Sequence, residues 1–247
     1  MQYQRVELKQ NELLIKEIGS KYMDKKVQDL LNLGGGALAE NEVKELLRSY
    51  GIKTTTFHVV QSKKEVQSLD LHFPVALKVC SRKILHKTDV NGVELNINNM
   101  DELLSVFDDF HKRFPNENLL IDEMEEKGVE AIVGLVQDPT FGLCIMSGVG
   151  GIFTELYKDV SFRVIPIDSY DANEMVEEIK GKKLFEGFRN IKADKQEFID
   201  LLLKVSKIGE ELIDYIDQMD LNPVFIYANS YCVVDAKVIL KEKGEKK

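Results

Sequence analysis

The last hydrophobic segment of the chain, NPVFIYANSYCVVDAKVIL, brings an amide and a carboxylate into reach of each other. If this segment forms a β-hairpin that turns through Ala228 and Asn229, Asn222 faces Asp235 directly. If it turns through Asn229 and Ser230, the two are diagonal neighbours on one face, and in either register their Cβ atoms lie about 4.5–8 Å apart. Two such oxygen ligands suit a Mg²⁺ that keeps phosphate oxygens and water as its other ligands. The alternative is a hydrogen-bonded Asn–Asp pair that only stabilises the hairpin.

A second predicted hairpin, PVALKVCSRKILHKTDVNGVEL, gathers positive charge in a chain whose net charge is -9. Strand alternation puts Lys78 on the same face as Ala76 and Cys80, where small neighbours leave room for a bulky anion. The loop that follows adds lysines, hydroxyl groups and the backbone of a tight turn at Gly92, which are the components of a phosphate site. Solvated surface charge is the alternative, and the GxxxxGK[ST] pattern of a Walker loop is absent.

Two further side chains have the chemistry of phosphoryl transfer. His86 lies in the basic loop, where an imidazole can accept a phosphoryl group. Arg163 follows the glycine-rich stretch SGVGG, and a guanidinium is suited to binding the oxygens of a phosphate. A glycine cluster alone is a weak signal, and the GxGxxG pattern of a dinucleotide site is absent. Together, the lysine, the basic loop, the arginine and the Asn/Asp pair indicate Mg·ATP chemistry at a phosphoryl group.

The elements that must position these groups are predicted from hydrophobic periodicity and turn residues. Helices are expected over 41–50, 62–69, 101–113, 169–181 and 194–216, and a charged helical extension over 1–36. Strands are expected over 54–60, 117–124, 128–136, 143–156, 159–167 and in both hairpins. Helices and strands mix without regular βαβ alternation, which predicts an α+β architecture with antiparallel strand pairs.

Composition limits the class of protein. The 247 residues are 44% hydrophobic and 30% charged, as in ordinary globular proteins, and the acidic excess disfavours nucleic acid as a partner. The three cysteines lack CxxC spacing, so buried free thiols are expected. No apolar run approaches the roughly 18 residues of a membrane span, and no signal-peptide pattern opens the chain. A cytoplasmic protein without membrane contact is therefore expected.

Five stretches of the chain together resemble one family of enzymes. They are ALAENEVKELLRSYGI, FPVALKVCSRKILHKTDVNGVEL, GVEAIVGLVQDPTFG, SGVGGIFTELYKDVSFRVIPI, and DLNPVFIY with CVVDAKVIL. In this order they resemble the beta subunit of ADP-forming acetate–CoA ligase, an NDP-forming acyl-CoA synthetase. The resemblance implies an ATP-grasp fold over 37–247, in which two α+β lobes hold the nucleotide between them. The lobes would cover about 37–119 and 120–240, followed by a short charged tail.

The resemblance also implies how ATP or ADP would be bound. Lys78 would grip the nucleotide phosphates, with the turn at Gly92 beside it. Glu123 would meet the adenine at the hinge between the lobes, and Glu130 would hold the ribose hydroxyls. Asn91 stands where the family usually has glycine, but asparagine tolerates a positive φ better than most residues, so the turn is expected to survive.

For the transfer step, the resemblance implies that Asn222 and Asp235 are the Mg²⁺ ligands, in agreement with the hairpin argument. His86 matches a histidine implicated in relaying the phosphoryl group, and Asp220 would orient a phosphohistidine. With Arg163, these residues form the predicted catalytic set.

The family converts acyl-CoA, ADP and phosphate into acid, CoA and ATP by way of an acyl phosphate and a phosphohistidine. Its CoA-binding domain and its main phosphohistidine normally reside on an alpha subunit or an upstream fused region, so this chain is expected to need such a partner, in an α2β2 assembly. Two alternatives stay open. An ATP-grasp carboxylate–amine ligase would be self-sufficient. A non-catalytic nucleotide-binding subunit, structural or regulatory, would be expected to have lost one or more of five residues, and all five are present: Lys78, His86, Arg163, Asn222 and Asp235.

Overall fold

The computed structural model describes residues 34–151, 159–187 and 193–242. Within these ranges the strands are β1 (Gly36–Ala37), β2 (Phe57–Val60), β3 (Val75–Cys80), β4 (Val93–Ile97), β5 (Asn118–Glu123), β6 (Val129–Asp138), β7 (Gly142–Val149), β8 (Val160–Val164), β9 (Ile216–Ile226), β10 (Tyr231–Val233) and β11 (Ala236–Leu240). The α-helices are α1 (Glu40–Ser49), α2 (Lys63–Gln67), α3 (Met100–Arg113), α4 (Ser169–Glu178) and α5 (Lys195–Glu211), and a 3-10 helix covers Lys182–Glu186. Of the extension predicted over 1–36, residues 1–33 lie outside the described residues.

The strands form two antiparallel sheets, which confirms the predicted α+β architecture. The small sheet has four strands in the order β2-β5-β3-β4. The large sheet has seven, in the order β1-β11-β9-β6-β7-β8, with β10 beside β9. The division into lobes at about residue 119 stays a prediction, but the pairing of β5 with β2 and β3 puts the whole of that strand in the small sheet.

The two faces of the small sheet have different partners, as the alternation along β3 predicts. Val75, Leu77 and Val79 are buried in a hydrophobic core with residues of α2 and α3. On the other face, Cys80 packs against Ala39 at the start of α1. Lys78 shares that second face, so its ammonium is directed towards α1 and not into the hydrophobic core.

The large sheet carries α4 and α5 on one face. Leu135 and Ile145 are fully buried on that side. The helix predicted over 194–216 is shorter than expected: α5 ends at Glu211, and Ile216 already pairs with Leu240 in the sheet. The predicted C-terminal end of α5 was wrong, because the apolar residues at the end of a helix and those at the start of a buried strand cannot be told apart by a short apolar pattern.

Local backbone conformations agree with the turn residues. Gly51, after the last turn of α1, has a φ of 70°, and Asn91 has a φ of 50°, so the asparagine adopts the positive φ that the turn requires. The three cysteines are free and buried, as expected, and burial raises the pKa of Cys232 to about 12. Among the described residues, no helix has the length and apolar character to cross a membrane.

Candidate active site

The register of the last hairpin brings the predicted metal ligands together. Val233 pairs with Val224, and Ala236 with Leu221, so Asn222 and Asp235 stand directly opposite each other. The backbone N–H of Asn222 donates to the carbonyl oxygen of Asp235 at 3.1 Å. This is the first of the two registers that the sequence allowed.

A cavity of about 480 Å³ opens over this pair of strands. Asp220, Asn222 and Asp235 line it from the large sheet, and His86 and Lys87 line it from the loop between β3 and β4. With Glu40, Asp89 and Lys237, which also line it, the structure gathers an imidazole, two ammonium groups, an amide and four carboxylates around one space. Of the predicted catalytic and metal-binding residues, all but Arg163 line this cavity.

A buried ionic cluster lies beside the cavity, at the junction of α1 with the two sheets. Lys78 is 4% exposed, and its ammonium donates to Glu40 Oε1 at 2.8 Å, to Asp122 Oδ2 at 2.7 Å and to the carbonyl oxygen of Val234 at 3.3 Å. Lys44, which is fully buried, pairs with Glu40 and Asp122 at 2.9 and 2.7 Å. The predicted alternative of solvated charge is therefore wrong for Lys78.

Lys87 connects this cluster to the predicted metal ligand. Its ammonium is paired with Glu40 Oε2 and, at 2.8 Å, with Asp235 Oδ1. Burial by itself would lower the pKa of Lys87, but the carboxylates of Glu40 and Asp235 raise it above its usual value. The lysine is therefore a cation at the edge of the cavity.

The acidic residues of the cavity affect each other. Burial and the neighbouring charge of Glu40 raise the pKa of Asp235, against the opposing effect of Lys78 and Lys87. Burial and the charge of Asp235 likewise raise the pKa of Asp220. Carboxylates crowded in this way bind protons more tightly than usual, and a divalent cation would relieve the same repulsion.

The loop that carries His86 and Lys87 is held by close backbone contacts. Gly92 donates its N–H to the carbonyl oxygen of Lys87 at 2.7 Å, and its carbonyl oxygen accepts from the N–H of Val79 at 2.8 Å. A Cβ atom on Gly92 would lie 3.1 Å from the carbonyl oxygen of Lys87 and 3.2 Å from a methyl group of Val79. The glycine thus allows the turn to close over β3; whether its backbone contacts a phosphate stays a prediction.

Glu123 and Glu130 lie on either side of the segment that connects β5 to β6. Glu123 is paired with the exposed His72 at 3.4 Å. The carbonyl oxygen of Glu130 accepts from the N–H of Gly150 at 2.7 Å, and a Cβ atom on Gly151 would lie 2.9 Å from Glu130 Oε2. The glycine-rich stretch therefore leaves space around Glu130. Neither carboxylate lines the cavity, and their roles towards adenine and ribose stay predictions.

Arg163 lies elsewhere. Arg163 is opposite Ile145 in the neighbouring strand, and Ile145 is in turn opposite Leu135. Arg163 therefore lies on the face of the large sheet that α4 and α5 cover. Asp220 pairs with the residue before Leu135 and therefore belongs to the opposite face. The guanidinium of Arg163 forms a two-pronged ion pair with Glu178 of α4, at 2.9 and 2.6 Å. This geometry gives its predicted catalytic role no support.

We expect Arg163→Met to act on stability through Glu178. Hydrogen bonds from Arg163 and Ser161 lower the pKa of Glu178 to about 2. A carboxyl whose pKa is lower in the folded protein stabilises it above its unfolded-state pKa, and this contribution is lost as the pH falls towards 2. The free energy of unfolding of the variant should therefore be lower than that of the wild type by under about 1 kcal/mol at pH 7. This difference should become smaller below about pH 4.5. Titration of Glu178 by NMR in both proteins is the direct measurement; an unchanged pKa in the variant would contradict the assignment.

The residues of the cavity fit Mg²⁺ with few protein ligands. Asn222 and Asp235 offer hard oxygen atoms from adjacent strands, and Asp220 adds a carboxylate two residues from Asn222. In the described ranges, no group of three or more His, Cys, Asp or Glu side chains has the arrangement of a complete metal site. A metal here would therefore rely on ligands from outside the protein, as Mg²⁺ commonly does with nucleotide phosphates.

Three buried residues of the cluster were missed by the sequence analysis: Glu40, Lys44 and Asp122. Two signals were available. Glu40 and Lys44 are spaced i, i+4 on a helix, which puts them on one face. Asp122 interrupts the apolar strand LLID, where a carboxylate is costly unless it is paired. Neither signal identifies the partners, because these come from separate parts of the chain.

Two antiparallel sheets and a cavity lined by cations and acidic groups agree with the ATP-grasp fold that the sequence predicts. The family profile of the ATP-grasp domain matches residues 29–240 of this chain.

The relatives define the family more closely. The chain is 41% identical to subunit beta of the ADP-forming acetate–CoA ligase II of Pyrococcus furiosus over 227 residues, which is 87% of this chain and 96% of that protein. It is 42% identical to the ADP-forming acetate–CoA ligase II of Archaeoglobus fulgidus over 208 residues, 83% of this chain but only 31% of that protein. The chain thus spans about a third of the length of that relative. It belongs to the family of ATP-grasp subunits of ADP-forming acetate–CoA ligases.

A solved structure supports the same family. The acetyl-coenzyme A synthetase 1 of Ca. Korarchaeum cryptofilum is 38% identical to this chain, with a TM-score of 0.72. The match covers 83% of this chain and 93% of that one. That structure contains coenzyme A and Mg-AMPPCP, with its phosphohistidine segment pointing towards the nucleotide-binding site.

Proposed function

We propose that this chain is the nucleotide-binding subunit of an ADP-forming acyl-CoA synthetase. It binds Mg·ADP or Mg·ATP and transfers a phosphoryl group between the nucleotide and a histidine. The complete reaction converts acyl-CoA, ADP and phosphate into acid, CoA and ATP. The observation that carries the proposal is one cavity that is lined by His86 and Lys87, from the loop between β3 and β4 of the small sheet, and by Asn222 and Asp235 of the last hairpin of the large sheet.

Each group of the cavity has a part in the proposed transfer. Asn222 and Asp235 would hold Mg²⁺, which would supply neutralisation of the charge that develops on the phosphate oxygens. In the ATP-consuming direction, the imidazole of His86 attacks the terminal phosphorus: a P–N bond forms, the P–O bond to ADP breaks, and ADP leaves with that electron pair. The imidazole proton is released, and we propose that Asp220, which lines the same cavity, accepts it or orients the ring.

The remaining half of the reaction is proposed to need a partner. No CoA-binding role follows from the residues described above, whereas the Korarchaeum enzyme binds coenzyme A and carries a phosphohistidine segment. We propose a CoA-binding alpha subunit that supplies the acyl phosphate, in an α2β2 assembly located in the cytoplasm. Glu123 and Glu130 remain the proposed contacts for adenine and ribose.

The proposal is tested by titration and by labelling. Calorimetry of ADP and ATP with the full chain should show binding that weakens at least about tenfold when Mg²⁺ is chelated. Incubation with ATP labelled in its terminal phosphate should then give an acid-labile, alkali-stable label on His86. His86→Asn should abolish the label without abolishing nucleotide binding.

His111→Asn is the matched control, because His111 lies on α3, stacked on Phe107 at 5.8 Å. The His111→Asn variant should still carry the acid-labile phosphoryl label on His86. Nucleotide binding without any acid-labile label, also when a CoA-binding subunit is present, would favour the non-catalytic alternative. Binding of neither nucleotide under any of these conditions would exclude the proposed function.

A further inference from the structure

We propose that Lys237 is a further catalytic residue, whose ammonium group binds the phosphoryl group as it passes between the nucleotide and the histidine. Lys237 lies in β11, two positions after Asp235. This inference rests on the proposed function, because it adds a cation to the transfer step of that reaction.

Lys237 stands directly opposite Asp220 in the large sheet. The two residues are Cα partners in the pairing of β11 with β9. Side chains that are opposite each other project from the same face of a sheet, with their Cβ atoms about 4.5–5.5 Å apart. Asp220 belongs to the face that α4 and α5 leave open, so Lys237 shares that face. Lys237 accordingly lines the cavity together with His86 and Asp220.

The ammonium group of Lys237 is available to a ligand. Within the described ranges, the side chains of Lys237 and Asp220 have no hydrogen-bond or ion-pair partner, although they are opposite each other. Lys87, the other lysine that lines the cavity, is paired with Glu40 and Asp235. An ammonium group has three N–H donors, and in Lys237 all three can therefore serve a ligand.

The pair formed by Asp220 and Lys237 matches the two ends of a phosphorylated imidazole. One ring nitrogen of such a group carries the phosphorus, and the other carries an N–H that donates to a carboxylate. Asp220 accepts this hydrogen bond in the proposed transfer, and the ammonium group on the neighbouring strand faces the phosphoryl oxygens. The residue opposite Asp220 on its other side is Gly134, so no side chain from that position covers the carboxylate.

In the transfer step, the charge of Lys237 acts on the phosphoryl oxygens. Negative charge is spread over the three equatorial oxygens of a phosphoryl group in transfer, and a fixed cation stabilises it. In the ATP-consuming direction the P–N bond to the histidine forms, the P–O bond to ADP breaks, and ADP keeps that electron pair. Lys237 stays protonated throughout. Bound ADP lacks the transferred group, so Lys237 should affect the rate of transfer and not the affinity for ADP.

Lys237→Met is expected to separate transfer from binding. Calorimetry of ADP with the full chain and Mg²⁺ should give a dissociation constant within about twofold of the wild-type value. The rate at which the label of ATP appears on His86 should fall about 100-fold. The return of the label from His86 to ADP should also become slower, because both directions share one transition state.

Three further variants control this result. Lys237→Arg keeps a cation in place and should transfer the label about tenfold faster than Lys237→Met. Lys64→Met makes the same chemical change at an exposed position of α2, outside the cavity lining, and should transfer at the wild-type rate. If Lys237→Met does not fold, Lys237→Gln carries the same prediction, because it removes the charge but keeps a polar side chain.

The results separate the inference from the proposed function. Label that appears on His86 of Lys237→Met at a rate within about threefold of the wild-type rate would overturn the inference and leave the function standing. Equal losses of ADP affinity and of transfer rate would also overturn it, because Lys237 would then bind the nucleotide and not the transferred group. A wild-type chain that binds ADP but never acquires the label, even with a CoA-binding subunit, would overturn the proposed transfer together with the inference.

Discussion

Asp235→Asn is expected to remove the Mg²⁺ dependence of nucleotide binding and to lower phosphoryl transfer by about 100-fold or more. The substitution keeps the size of the side chain and an oxygen for Lys87, but it removes the only full negative charge of the Asn222–Asp235 pair. Metal bound by so few protein groups depends strongly on each of them. Titration of ADP with and without Mg²⁺, followed by labelling of His86, measures both effects.

Asp217→Asn is the matched control for this variant. Asp217 lies on the same strand, β9, at an exposed position outside the cavity lining, and its substitution makes the same change of charge. It should retain the difference in affinity that Mg²⁺ produces. If Asp235→Asn also retains that difference, the metal assignment is wrong, and the Asn–Asp pair serves only to stabilise the hairpin.

Asp122→Asn is expected to produce the largest loss of folding stability. The Asp122 side chain is 3% exposed, pairs with Lys44 and Lys78 at 2.7 Å each, and accepts a hydrogen bond from Thr55. Removal of one partner from a buried ion pair leaves an uncompensated charge and typically costs about 3–5 kcal/mol. Denaturant unfolding of the wild type and the variant gives this difference directly.

Asp108→Asn makes the same substitution in a surface pair. Asp108 pairs with Lys63, and each of the two side chains is 47% exposed. Because solvent screens such pairs, its loss should cost about 0–1 kcal/mol. Equal losses for the two variants would mean that the buried cluster does not hold α1 and the two sheets together as the contacts indicate.

Much of the fold and of the cavity could be predicted from the sequence, because it depends on local rules. Alternation along β3 separated Lys78 from the residues of the core, and turn chemistry anticipated the positive φ of Asn91. The two possible turns of the last hairpin both placed Asn222 beside Asp235, and the structure selects between them. The family followed from motifs that occur in one order along the chain.

Other features depended on contacts between distant parts of the chain. The sequence did not reveal that Glu40 of α1, Asp122 of β5 and Lys78 of β3 share one buried cluster, because charge pairing across 38 to 78 positions leaves no periodic signal. Arg163 and Lys78 show the consequence. As residue types both suit phosphate binding, but strand register directs Arg163 to Glu178, and burial commits the ammonium of Lys78 to three protein oxygens.

The sequence by itself thus determined the family, the sheet-forming segments and the Asn222–Asp235 pair, since these follow from neighbours along the chain or across one hairpin. Only the tertiary structure decided which charged side chains pair with one another. Lys78 pairs with Glu40 and Asp122 because folding brings together elements that lie far apart in the sequence.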